Sequence, residues 1–493
     1  MIKSLFVSAP YPGKQKFGGQ PTGLLYALSV IADKRKNAKE NIKVWCPEGI
    51  SNKKEKKRFE GRLIRYVKKE KPKILGVSTF SVSYKNALDI LRIAKKASPE
   101  TVVTFGGAHE DNFVKYYRER NSVDADFDVA GDGMFVLDKL YEIIENNPSL
   151  TVEDIKNKVS ESKDEFSRLK GAGLLLYNQD NQLKEIKTSG KPISLDKVPI
   201  MPRYLLEKED EISKSFTIFN GKKTAQIMVG QECPHSCAFC SEGIKRVWYD
   251  DDSPKSVNFI KLLSNVEKEI KALKRQGYSA IFFDDSTFLA KPKDYLEKLF
   301  GMLKKYELEW GCQTTQLSIC LNKELLSKMK ESGCSYVYIG VEHFDGEMRD
   351  AFGNNKYGIA STESTIELLK NQGIRAGISL TFGHPDEADT RETTKENIKT
   401  AKYAIDKTAD LIKNYENVIG VSLNLITYQP GTLYSERYEK KVGKIPFTDH
   451  PNDFGAFRKF EEGIGPHPIG TTSKLADFIL RYARVKIGKK LFI

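Results

Sequence analysis

The sequence is poor in cysteine and has no long apolar run. Seven cysteines in 493 residues are too few and odd in number for a disulfide framework, and they fit reduced thiols. The longest apolar stretches, residues 5–9 and 24–32, fall far short of the roughly 20 residues of a membrane span. The first is also too short for a secretory signal and reads as a strand. A soluble, cytoplasmic protein without a membrane span is expected. Apolar residues make up 40% of the chain, ordinary for a globular protein, which excludes disorder over long stretches.

What the chain does have is charge and length. Its size predicts two to four domains. The net charge of +13 raises the question of nucleic acid. Much of it, however, lies in a helical stretch at 53–73 whose buried stripe is Phe59, Leu63, Ile64 and Val67. A solvated lysine face explains that pattern, so nucleic acid is not the expected partner.

Residues 1–150 alternate strands (4–8, 42–46, 74–78, 102–105, 127–130) with helices (23–32, 58–69, 84–96, 135–145). Such alternation predicts an α/β fold: a doubly wound parallel sheet, Rossmann-like, with ligands at the strands' carboxyl ends. The loops there are 9–20, 79–83, 106–109 and 131–133. Residues 151–215 read as a linker with a small hairpin (173–177 and 183–188) and a proline-punctuated connector. From 216 to 430 strands at 225–229, 280–284, 310–314, 336–341, 377–381 and 419–426 alternate with helices, predicting a partial (β/α)6 barrel. Residues 431–493 form a C-terminal substrate or capping segment with one helix at 473–485. Phe454, Phe457, Arg458 and His467 there suit packing better than a pocket.

The strongest local signal is Cys233-Pro234-His235-Ser236-Cys237-Ala238-Phe239-Cys240, directly after the first barrel strand. Cysteine thiolates ligate [4Fe–4S] clusters, which normally take four. Three on one loop leave one iron open to a small chelate such as an amino acid's amino and carboxylate groups. A structural zinc site would want a second ligand pair, and Cys312, Cys320 and Cys334 stand singly.

This CxxxCxxC loop resembles the radical S-adenosylmethionine (SAM) superfamily, and other segments extend the likeness. Ile281-Phe282-Phe283-Asp284-Asp285 looks like the acidic site near the SAM amino group. Tyr338-Ile339-Gly340-Val341-Glu342 resembles the fourth-strand motif whose carboxylate contacts SAM. The run from Gly377 to Pro385 is similar to the glycine motif beside the adenine, with Gly383 as its carrier. Tyr428-Gln429-Pro430-Gly431-Thr432 resembles the segment after strand six. His343, where serine is common, and Asp386, where glycine is frequent, depart from the pattern. The resemblance implies a [4Fe–4S] cluster on Cys233, Cys237 and Cys240, SAM bound by Asp284, Asp285, Glu342 and Gly383, and reductive cleavage to a 5′-deoxyadenosyl radical. A flavodoxin- or ferredoxin-type reductant would supply the electron. No residue is assigned a catalytic role.

The front domain is similar to the cobalamin-binding domain of one branch of that superfamily. The carrying segments are Ser8 to Pro12, Phe17 to Leu25, Gly76 to Thr79, Phe105 to His109 and Ala130 to Gly133. This implies cobalamin as a further cofactor, with Thr79, Ser83, Gly106, Gly107 and Gly131 nearest to it. The Asp-x-His-x-x-Gly string that ligates cobalt elsewhere is absent, as in many radical SAM relatives. A vestigial domain therefore stays an alternative. The implied function is a cobalamin-dependent methyltransferase acting on an unactivated carbon of a small molecule or peptide. A cyclase, rearrangement or oxidation enzyme is the first alternative, and a non-catalytic cluster- or cobalamin-binding protein another. A tRNA methylthiotransferase would need three more N-terminal cysteines, where only Cys46 exists.

Overall fold

The computed structural model describes residues 2–11, 19–80, 83–190, 193–231, 233–235, 237–240, 242, 260–351, 362–383, 391–425 and 473–488, with single positions at 432, 433, 436 and 440. Two sheets dominate. The first has seven strands in the order β2-β1-β3-β4-β5-β6-β7. Strands β1 (Ser4–Ser8), β2 (Ile42–Trp45), β3 (Ile74–Ser78), β4 (Val102–Gly106) and β5 (Phe127–Gly131) are parallel. Strands β1, β3 and β4 are almost fully buried runs, as parallel strands covered on both faces must be, whereas β2 at the edge exposes Lys43. Helices Thr22–Lys34 (α1), Lys53–Glu70, Tyr84–Ala97 and Ala108–Arg120 make the crossovers. The order of strand addition reverses between β1 and β3, which lie side by side and parallel, so the binding crevice of this doubly wound sheet lies at their carboxyl ends.

Strands β6 (Gly173–Gln179) and β7 (Gln182–Lys187) form the expected hairpin, and β6 adds antiparallel to β5. Asp180 and Asn181 turn it with φ of 51° and 59°, the two left-handed residues a two-residue hairpin loop needs. The segment read as a linker thus extends the first sheet.

The second sheet runs β8 (Thr224–Ile227), β9 (Ala280–Phe283), β10 (Glu309–Thr315), β11 (Cys334–Glu342), β12 (Arg375–Phe382) and β13 (Val418–Leu425), all parallel and in sequence order. This is the partial six-stranded barrel. Trp310 fills its core against Phe283, Phe288 and Phe300. Helix Ser473–Lys486 lies along helix Arg391–Asn414, with Ile479 and Ala483 buried and the Tyr482 hydroxyl donating to Asp406 (2.7 Å).

Among the described residues, helices Ala38–Asn41, Ala108–Arg120, Glu209–Ser213, Gln316–Leu321 and Gly346–Ala351 were not anticipated. Ala108–Arg120 carries an apolar stripe of only Phe113, Val114 and Tyr117 among charged residues. Gln316–Leu321 is a short turn capped by the Thr315 side chain. The lysine-rich helix Lys53–Glu70 is capped by Asn52 and buries only Leu63 and Val67. Ile64, expected in the stripe, is exposed, because the real stripe of a helix at the sheet edge is narrower.

A buried polar tie joins the two sheets. The Gln20 backbone N–H donates to Gln226 Oε1 (2.6 Å), and its side-chain Nε2 donates to Ser213 Oγ (3.1 Å). Its Oε1 accepts from Arg203 Nε (3.0 Å) and from the Gln226 N–H (3.2 Å). Arg203 also donates to the Gln226 carbonyl (2.5 Å) and pairs with Glu269 (3.4 Å), which Lys261 meets from the other side (2.7 Å). Satisfying every partner in a dry interior fixes one docking geometry.

Candidate active site at the junction of the two sheets

A cavity of about 780 Å³ opens between the carboxyl edge of the first sheet and the mouth of the barrel. From the sheet it is lined by Ser8, Ser78, Thr79, Gly106, Gly107 and Gly131, and from the barrel by Gln226, Asp284, Ser286 and Gln313. The sheet side is made of alternate residues: Phe6 and Ser8, Gly76 and Ser78, Thr104 and Gly106, Val129 and Gly131. With a side-chain period of two these share one face, and the serines and glycines among them leave room under α1 and helix Gly133–Asn146.

The loop glycines are required by the backbone. Gly107 has φ 108°, and a Cβ there would stand 2.7 Å from the Thr79 carbonyl. Gly131 has φ 70°, and a Cβ would meet the Ala172 carbonyl at 2.3 Å. Its N–H donates to Asp111 (2.7 Å). Thr79 and Ser83 share a hydrogen bond (2.7 Å). Ser83 is fully buried and is not among the lining residues, so it shapes the loop while Thr79 faces the cavity.

On the barrel side the cysteine loop follows β8. The Cys240 N–H donates to the Cys237 carbonyl (3.1 Å), closing a turn, and Cys233 Sγ lies 3.5 Å from Thr287 Oγ1 beyond β9. None of the three is in a disulfide. Burial pushes the Cys237 thiol up to about 12, with Cys240, Glu342 and Cys233 adding nearby negative charge. Cys240 is pushed up to about 11, again chiefly by burial, with Glu242, Cys233 and Glu342 adding to it against a Glu242 backbone hydrogen bond. The three sulfurs and Glu342 therefore share one neighbourhood. Among the described residues no three of His, Cys, Asp or Glu converge tightly enough to hold an ion as they stand; loop residues 232 and 236 lie outside that description. As a donor set, three reduced thiols on one bend fit an iron–sulfur cluster with an open iron.

Asp284 directly follows β9 and lines the cavity. Its Oδ2 accepts from Thr22 Oγ1 (3.1 Å) at the start of α1. Burial raises its carboxyl to about 6; Thr22 and Gln226 oppose the rise, while Asp285 and Glu242 add to it. Asp285 departs from the expectation. It is buried, ion-paired with Lys291 (2.6 Å), and accepts from the Val229 N–H (3.1 Å). Consecutive residues at a strand end point to opposite sides, so only one of the two acids can face the cavity. Asp285 instead ties the ends of β8 and β9 just before the cysteine loop.

Glu342 sits after a bulge in β11 with φ 61°, unusual for a side chain of its size. Its Oε2 accepts from Thr381 Oγ1 (2.5 Å), and burial raises its carboxyl. His343 is fully buried; its Nδ1 accepts from the Asp345 N–H (3.0 Å), and burial lowers it to about 4. It is a neutral turn-former. Gly383 has φ 109°, a conformation that glycine alone adopts readily. The Tyr428–Thr432 motif (apart from Thr432), Pro385, Asp386 and the tail residues Phe454, Phe457, Arg458 and His467 lie outside the described residues.

Sequence reasoning missed Thr22, Gln20, Gln226 and Arg203. Thr22 and Gln20 belong to a segment already singled out, but their partners lie 262 and 206 positions away. Local pattern carries no signal over such distances.

Residues 227–398 match the family model described as the Radical SAM superfamily. An uncharacterized methyltransferase, PH0819, of Pyrococcus horikoshii is 24% identical over 78% of this chain and 73% of its own length. The cytidylyl-2-hydroxyethylphosphonate methyltransferase of Streptomyces wedmorensis is 23% identical over 66% of this chain and 60% of its own. Among solved structures, the radical SAM methyltransferase TsrM from Kitasatospora setae, with cobalamin and a [4Fe–4S] cluster bound, superposes with a TM-score of 0.59 at 15% identity. That match covers 90% of this chain and 80% of TsrM, a likeness of fold across both sheets. The chain thus carries a radical SAM domain over residues 227–398, the span that holds the cysteine loop, Asp284, Glu342 and Gly383.

Proposed function

We propose that the chain is a radical SAM enzyme that methylates an unactivated carbon with the help of cobalamin. The observation that carries this reading is the shared cavity: one space of about 780 Å³ is walled by the sheet's small-residue loops and by the barrel mouth. A methyl donor and a substrate radical must meet in one dry chamber, and a two-domain cleft provides it. The family match and the fold likeness to TsrM support the same reading.

On this reading Cys233, Cys237 and Cys240 would hold the cluster, leaving an iron without a protein ligand that would be free to bind SAM. Cluster and cobalamin, when bound, supply the electron that cleaves SAM and the methyl group given to the substrate. The chain's own residues bind and orient. Asp284 and Glu342 are acceptors for SAM's polar groups, Thr381 holds Glu342 in place, and Gly383 lets the backbone approach the adenosine. Asp285 with Lys291 steadies the cysteine loop. Thr79, Gly106, Gly107 and Gly131 bear on the corrin, and Ser83 shapes their loop. Residues 1–150 serve as the cobalamin domain, 151–215 as the link with its hairpin, 216–430 as the core, and 431–493 as the substrate or capping segment. The electron donor is a flavodoxin- or ferredoxin-type protein, the substrate a small molecule or peptide, and the compartment the cytoplasm.

The test is anaerobic purification, reconstitution with iron, sulfide and cobalamin, and assay with SAM and a low-potential reductant. Cluster and cobalamin absorbance together with 5′-deoxyadenosine release is expected, and product should gain one methylene unit in mass. A zinc-containing preparation, or one without inorganic sulfide, would overturn the reading. A product that loses two hydrogens would replace methylation by ring formation.

A further inference from the structure

We propose that Thr22 is a positioning residue for SAM: its hydroxyl, donated from the sheet domain, fixes the Asp284 carboxylate at the barrel mouth, so that the SAM subsite is complete only when both domains are docked. The inference rests on the reading above that this mouth takes SAM.

Thr22 is the first residue of α1, and its backbone N–H is already satisfied by the Gln20 carbonyl (2.8 Å). The N-cap residue before it, Pro21, supplies no side-chain cap. The Thr22 hydroxyl reaches across to Asp284 Oδ2 at 3.1 Å. The thirteen-residue helix also presents its positive end to that carboxylate. The donor is held rigidly. Gln20, two residues earlier, is 4% exposed and bonded to Gln226, Ser213 and Arg203. Gly19, at φ 94°, packs so closely on Gln226 that a Cβ would fall 2.4 Å from its amide oxygen. Residues 19–22 are therefore held against the barrel, and they line the same cavity as Asp284. A carboxylate pinned in this way offers an ammonium group a fixed acceptor, whereas an unpinned one must be ordered by the ligand itself.

Thr22→Val removes the hydroxyl at nearly constant shape, Thr22→Ala removes it without branching, and Thr22→Ser keeps it. Each holoenzyme is compared by SAM binding in equilibrium dialysis and by the KM and turnover rate of reductive SAM cleavage, with cluster and cobalamin content as folding controls. A hydrogen bond to a charged group predicts that Thr22→Val and Thr22→Ala weaken SAM binding and raise KM about tenfold. The turnover rate should stay within about twofold of wild type, and Thr22→Ser should restore the wild-type values. In an Asp284→Asn background, Thr22→Val should have little further effect, because the pair acts as a unit. The proposal is overturned if wild type binds SAM and the Val and Ala variants bind it equally well. It is also overturned if Thr22→Ser is as defective as Thr22→Val, or if the effects of Thr22→Val and Asp284→Asn add. Wild type that binds no SAM would instead overturn the functional reading, and this inference with it.

Discussion

Glu269 is the shared counter-charge of the docking tie, and its neutralisation should cost more than loss of Lys261. Its carboxylate is 2% exposed and meets Lys261 at 2.7 Å and Arg203 at 3.4 Å, both of them buried. Glu269→Gln leaves two buried cations and no counter-charge, a situation that costs about 3–5 kcal/mol. Lys261→Met leaves the Arg203–Glu269 pair intact and loses one charged hydrogen bond, roughly 1.5–3 kcal/mol. At about 2–4 °C per kcal/mol for a domain of this size, the first should melt about 6–20 °C lower and the second about 3–12 °C lower. The acid limb gives a second handle. Burial opposes ionisation of Glu269, but Lys261 and then Arg203 outweigh it and hold the carboxyl below its ordinary 4.5. A lowered carboxyl supplies stability in full above that ordinary value and loses it as pH falls through the folded one. Calorimetric melts at pH 7 and across pH 3–5 should therefore show the wild-type advantage over Glu269→Gln shrinking with acid. Equal melting of the two variants at pH 7, or an advantage that stays constant to pH 3, would refute the reasoning.

Replacing Cys233, Cys237 and Cys240 together by alanine should abolish iron, inorganic sulfide and the cluster's visible absorbance while leaving the far-ultraviolet circular dichroism unchanged. Gly107→Ala forces a Cβ to 2.7 Å from the Thr79 carbonyl at φ 108°, a strain of about 1–3 kcal/mol. Cobalamin binding, read by absorbance after desalting, should weaken while cluster content holds. Asp284→Asn should trade binding for stability. Burial raises this carboxyl to about 6, so the folded state carries a penalty that grows as pH rises above the unfolded value and is fully felt above about 6. The Asn variant should melt higher than wild type at pH 8, lose that advantage near pH 4, and bind SAM more weakly by dialysis.

Much of the fold was legible because its parallel strands are buried on both faces and announce themselves as unbroken apolar runs, such as Ile74-Leu75-Gly76-Val77-Ser78. The cysteine loop was legible for a different reason: three ligands on one bend need no tertiary information. The helix Ala108–Arg120 was not legible, since its buried side includes His109 and Glu110, residues that composition assigns to solvent. Asp285 could have been sorted from Asp284 by strand alternation alone, and Ser83 could not, because only the fold reveals that it turns inward behind Thr79.

The residues that set the two domains against each other were the least visible, and this has a physical cause. Arg203 and Gln226 bear no motif, Gln20 lies in a singled-out segment that gives no hint of its role, and each is informative only through partners distant in sequence. Yet the cavity exists by virtue of them. If the sheet rotated against the barrel, Thr79 and Gly107 would move away from Asp284, and the chamber would open to water at the point where a radical must be kept dry. One buried apolar cluster runs from Phe6 and Leu25 through Leu205 to Trp310, so the domains share a core as well as a polar lock. Rotation would expose that core and unpair Arg203, a coupled cost that neither term would impose alone. The chain is thus built to hold two binding surfaces at one separation, and a substrate must enter a space whose walls are already set.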